Sequence, residues 1–118
     1  MSIGPFENPS EALAVPASGI ASRPLLDMKD GTKIVLFALD RDQEISPHLS
    51  PFPASVLLLS GRLRVQVGEE WHELAPDERI DLPMGKPHGL QALEASHFVL
   101  TMLRAARDSS VLTRHATS

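Results

Sequence analysis

Apolar and polar positions alternate in short bursts along this chain, and the bursts have the length of strands. Leu63, Val65 and Val67 alternate with Arg64 and Gln66, the period-two pattern of a strand with one face in the core and one in water. Similar short segments run over Ser55–Leu59, Glu70–Leu74, Arg79–Leu82, His88–Ala92 and Phe98–Leu103. Ser60-Gly61, Gly68-Glu69 and Pro76-Asp77 separate them, and such short turns predict antiparallel neighbours. Lys33–Leu39 differs: KIVLFAL is apolar on both faces, so both faces require cover. One face is assigned to the core and the other to a second layer or another subunit. Upstream, Ala21–Leu26 reads as a short edge strand, where Pro24 is tolerated, and Asp30-Gly31 as a tight turn. One helical turn is expected around Ser10–Leu13, and no long amphipathic helix.

The pattern therefore predicts an all-β domain of two packed antiparallel sheets. Its length of 118 residues suits one core. The expected division is an N-terminal extension with an edge strand over 1–32, a barrel over 33–103 and a polar tail over 104–118. Fifteen acidic against eleven basic side chains give a net charge of −4, the wrong sign for a nucleic-acid partner. Cysteine is absent, which removes disulfides, thiolate metal sites and a cysteine nucleophile together. No apolar run approaches the length of a membrane span, and MSIGPFENPS does not read as a secretory signal. A cytoplasmic protein with no membrane partner is the expectation.

The segment from His48 to Ala92 carries the most specific signal. It contains His48-Leu49-Ser50-Pro51-Phe52-Pro53-Ala54, then six residues to Gly61. Further on comes Asp77, five residues, and Pro83-Met84-Gly85-Lys86-Pro87-His88, with Ala92 beyond. These resemble the two motifs of the cupin family, H-x-H-x3–4-E-x6-G and G-x5-P-x-G-x-x-H-x3-N. The resemblance spans roughly Lys33 to Leu103 and implies a double-stranded β-helix, the jelly-roll barrel. It also implies a homodimer. In the family, two histidines and a glutamate of the first motif join the histidine of the second around one metal ion. Here those positions hold His48, Ser50, Ala54 and His88, so two of the four donors are lost. A divalent ion such as zinc, nickel, manganese or iron is the cofactor the resemblance allows, with His48 and His88 as its ligands.

Strand parity extends the candidate pocket. His48 and Ser50, two positions apart, are expected to face inward together, opposite His88 and Leu90. Phe98, Leu100 and Met102 are expected to line the interior, Met84 to rim the pocket, and Phe52 to act as a lid or a rigid plug. Taken singly, His48 can cap a strand and His88 can satisfy a turn carbonyl. Together, at matching motif positions, they define a pocket for a small-molecule ligand. His72 shares parity with Leu74 and is a weaker third candidate for the metal. His97 is expected at the surface or an interface, and His115 in solvent. Trp71 suits an interface or a cover for one barrel end, and Gly61 and Gly85 suit turns with positive φ. Asp77, where the family has glycine, tolerates the same conformation. No carboxylate is placed beside the two imidazoles, and same-face neighbours such as His48 and Ser50 sit too far apart, about 6–7 Å, for proton transfer. No catalytic residue is assigned.

Overall fold

The computed structural model of the chain describes residues 8–104. One helical turn, α1 (Pro9–Ala12), precedes nine strands: β1 (Ile20–Asp27), β2 (Thr32–Leu39), β3 (Glu44–His48), β4 (Ala54–Ser60), β5 (Leu63–Val67), β6 (Glu70–Leu74), β7 (Arg79–Leu82), β8 (His88–Ala92) and β9 (Ser96–Leu103). They form a five-stranded sheet in the order β1-β2-β9-β4-β7 and a four-stranded sheet in the order β3-β8-β5-β6. Every pairing is antiparallel. This is the expected all-β jelly roll.

Period-two patterning decides which side chains meet between the sheets. Leu39, Val56, Leu58 and Phe98 project from the larger sheet onto Leu63, Val65, Leu90 and Ala92 of the smaller. Pro24 lies in β1, an outer strand, as a residue without an N–H requires, and the ladder shifts register between Pro24 and Leu26. The turns take the predicted backbone: Gly61 and Gly85 have φ of +89° and +85°, and Asp77 takes φ of 72°. At Gly61 no other residue fits, since a Cβ there would stand 2.2 Å from the Ser96 hydroxyl oxygen.

The second apolar face of β2 has part of its cover in this same chain. Leu36 and Ala38 are buried on the outer side of the five-stranded sheet, and Asn8, Pro9 and Ala12 lie over a hollow floored by Leu25, Leu36, Leu59 and Val99. His97 shares that outer face, paired in register with Ala38. Its expected exposure is corrected: it is 3% exposed, with Nε2–H donating to the Leu13 carbonyl at 2.7 Å. The Ser60 hydroxyl lies 3.2 Å from the other ring nitrogen. The outward parity was legible, but the segment folding back over it was not. His115 and the tail after Arg104 lie outside the described residues.

Candidate functional site

Between the sheets lies a cavity of about 50 Å³. The larger sheet contributes an apolar wall of Phe37, Val56, Leu82, Phe98 and Leu100. Phe37 and Phe98 are register partners whose rings stack at 4.9 Å, which stiffens this wall. The opposite wall carries Ile45, Val65 and Leu90, and among the described residues its polar side chains are His48 and His88.

The two histidines are directly opposed across β3 and β8. Their ring centroids lie 4.7 Å apart, with the planes at 64°. His88 is 8% exposed, and its Nε2 is buried with no hydrogen-bond partner. A buried nitrogen left without a partner costs about 1–3 kcal/mol, so this position calls for a polar atom in the cavity. Burial, and then the neighbouring His48, hold the His88 pKa below the ordinary histidine value, which keeps the ring neutral. His48 is exposed at the cavity mouth. Its Nδ1 lies 3.1 Å from the Ser46 carbonyl oxygen. A carbonyl only accepts, so Nδ1 carries a proton, and the tautomer this selects presents Nε2 as an acceptor.

Of the predicted pocket residues, the structure brings His48, His88, Leu90 and Phe98 together around the cavity. Ser50 is placed elsewhere. β3 ends at His48, so the alternation assumed to carry Ser50 inward stops, and its hydroxyl instead donates to the Phe52 carbonyl at 2.8 Å. Phe52, half-buried in that loop, is not among the lining residues, and neither is half-buried Met84. Met102 packs on the core beyond the cavity, on the same face as Leu100. His72 lies on the outer strand β6, exposed and 3.5 Å from the Glu70 carboxylate, far from the pair in the sheet order. Trp71, on the same strand, is 47% exposed beneath the Arg64 guanidinium, 4.1 Å from the ring centroid. Phe37, Ile45, Val56, Val65, Leu82 and Gly89 are lining residues outside the expected pocket, while Leu100, expected with Phe98 and Met102 in the interior lining, does line the cavity. For the strand residues, inward parity on the assigned strands was the available signal.

The donor set does not fit the four-ligand metal centre of the family. Ser50 is turned away, Ala54 offers no donor, and among the described residues no group of three His, Cys, Asp or Glu side chains converges. Two imidazole nitrogens alone fall short of the three or more protein ligands that hold a first-row ion firmly.

No family model matches the chain, and no curated protein matches it in sequence. Solved structures do match. A conserved Streptococcus pyogenes protein of unknown function is 29% identical, with a TM-score of 0.79 over 88% of this chain and 90% of that one. A cupin superfamily protein from Desulfitobacterium hafniense is 18% identical, with a TM-score of 0.76 over 86% and 95%. An RmlC-like cupin from Shewanella frigidimarina is 17% identical, with a TM-score of 0.69 over 76% and 80%. With its two sheets, its paired motifs and these neighbours, the chain is a cupin by fold. Among the described residues no helix is long and apolar enough to cross a membrane.

Proposed function

We propose that this protein binds a small neutral molecule, seating a hydroxyl or similar polar atom between His48 and His88 and a short apolar end in the cavity. The observation that carries this reading is the unpartnered, buried Nε2 of His88 beside the ring of His48. His48 offers a lone pair, and His88 donates in the tautomer protonated at Nε2, so one hydroxyl satisfies both. A neutral ligand is favoured over an anion because, among the described residues, no Lys or Arg lines the cavity. A volume of about 50 Å³ admits only a few heavy atoms, well below the ~300–1,000 Å³ of pockets that enclose a drug-sized ligand. The rest of the molecule therefore lies at the mouth beside His48.

The alternative is a metal-dependent enzyme of oxygenase or isomerase type, with His48 and His88 holding a divalent ion. The convergence of two free imidazoles supports it, and the missing donors weigh against it. Weak or absent metal binding is accordingly part of the proposal. A homodimer in the cytoplasm also belongs to this reading. The cysteine-free sequence suits a reducing compartment. The half-buried apolar side chains Leu57 and Val99, on the outer face of the larger sheet, suit a second copy.

The test is a titration followed through the histidine ring and methyl NMR signals, using 1-butanol, butanoate and zinc chloride as separate probes. Saturable shifts at both rings and at Leu100 and Val65 with 1-butanol, weaker with butanoate and lost in His88→Ala, are expected. Near-stoichiometric zinc binding with no response to 1-butanol would establish the alternative. Silence toward all three probes removes the pocket as a functional site.

A further inference from the structure

His48 faces the cavity because β3 breaks its own alternation. Between the pairs Ile45↔Leu90 and His48↔His88, β3 advances three residues while β8 advances two. One residue of β3 is therefore extra, which is the signature of a β-bulge. Ile45 lines the cavity, so an unbroken ladder would send Pro47 inward and His48 out to solvent. The bulge over Ser46 and Pro47 reverses that parity.

Pro47 and Gly89 accommodate the bulge, and His48 adds a hydrogen bond across it. Pro47 has no N–H to give to the ladder, so looping it out forfeits no hydrogen bond. His48 itself closes the loop through Nδ1–H to the Ser46 carbonyl. Gly89, between His88 and Leu90, provides the space. A Cβ there would stand 2.8 Å from the Ile45 carbonyl oxygen, 2.9 Å from Pro47 N and 3.1 Å from Pro47 Cα. These are backbone atoms, so no side-chain adjustment relieves the clash.

From this arrangement we infer that Gly89 and the Pro47 bulge are the positioning residues of the histidine pair, setting both its register and the His48 tautomer. Gly89 has no side chain to offer a ligand and acts through the β3 backbone that it lets approach. That these rings bind a ligand rests on the function proposed above; the register claim does not.

The absence of native cysteine permits a clean register reporter. Directly opposed residues on neighbouring antiparallel strands have Cα atoms about 4.5–5.5 Å apart, within disulfide range. The double variant His48→Cys/His88→Cys is expected to cross-link on mild oxidation. Adding Gly89→Ala should slow cross-linking about tenfold or more, with strand content by circular dichroism retained. Deleting Pro47 removes the extra residue, so the ladder runs straight from Ile45 to His48 and nothing presses on position 89. In that background Gly89→Ala is expected to cross-link as fast as the deletion alone. Unimpaired cross-linking in the first Gly89→Ala variant overturns the inference, as does a loss that deleting Pro47 does not restore. If Gly89→Ala alone fails to fold, the deletion background decides: rapid cross-linking there supports the inference, and its absence overturns it. These readouts involve no ligand, so their failure is distinct from failure of the 1-butanol titration. With both histidines in place, the 1-butanol response should vanish in Gly89→Ala and return when Pro47 is also deleted.

Discussion

His97 and Leu13, 84 residues apart in the sequence, are joined by a 2.7 Å hydrogen bond on the outer face of the five-stranded sheet. The Leu13 carbonyl ends the α1 region, so this bond pins the N-terminal segment onto the apolar surface left uncovered by the barrel. Around it, the Arg23 side chain donates to the Ala12 carbonyl at 2.9 Å, and the Ser18 N–H donates to the Asp40 carboxylate at 2.6 Å. The Ser18 and Arg41 N–H groups hold the Asp40 carboxyl below its usual range. A face that predicts a partner layer thus receives at least part of that layer from its own chain.

His97→Ala is expected to destabilise the fold by about 1–3 kcal/mol, because it strands the Leu13 carbonyl and empties a buried site. The ring signals of His48 and His88 should not move, since His97 points to the opposite side of the sheet from the cavity. Urea unfolding gives the stability, and histidine NMR tests the separation. A shift of either ring signal would mean that the outer latch and the pocket communicate.

Gly61→Ala should be far more damaging. It combines a positive φ with a Cβ placed 2.2 Å from Ser96 Oγ and 2.3 Å from the Ala95 carbonyl. Backbone strain of about 1–3 kcal/mol and a similar overpacking term give roughly 2–6 kcal/mol. Much of that is comparable to the whole stability of a small domain. The variant is expected to be largely unfolded by circular dichroism at room temperature, and a urea midpoint equal to the parent's would refute this account of the turn.

Metal removal separates the two readings of the site by stability as well as by binding. With His48 and His88 as the converging donors among the described residues, EDTA is expected to leave the Tm of the purified protein unchanged, and added zinc to raise it little, because stabilisation follows the ratio of free metal to Kd. A Tm that falls with EDTA, recovers with zinc, and does neither in His48→Ala would show a firmly held ion.

The sheets were legible because alternation is a strong signal wherever one strand face is wet. Leu63–Val67 appears as β5 with the predicted ends, and the reading of His88–Ala92 as β8 likewise holds. Two kinds of feature were not legible. The β3 strand carries Pro47 and a bulge, so period-two reasoning from His48 assigned Ser50 to the interior when the strand had already ended. The covering of His97 depends on a contact across most of the chain, which no local pattern encodes. The histidine pair itself came from motif resemblance, since neither ring stands out by parity alone.

The stability of this fold depends on pH through His88. Its folded-state pKa lies below the ordinary histidine value, with burial as the larger cause and His48 the smaller. Between the lowered value and about 6.5 the unfolded chain binds a proton that the native state refuses. Stability therefore rises with pH through that window: the full contribution is present above about 6.5 and is lost as pH falls toward and through the folded pKa. His88→Leu removes both the titration and the unpartnered nitrogen, placing an apolar side chain among Val65, Leu90 and Leu100. The variant is expected to match or exceed the parent's stability at neutral pH, and the gap should widen as the buffer is taken from pH 7 toward pH 5, a range chosen to straddle the ordinary histidine value. The same substitution should abolish the 1-butanol response at every pH. Urea midpoints measured across that range decide the matter: parallel curves would mean that His88 is not the group that titrates. A His88→Leu protein markedly less stable than the parent at pH 7 would mean that its ring nitrogen is satisfied in the free fold, which would remove the reason for expecting a ligand there.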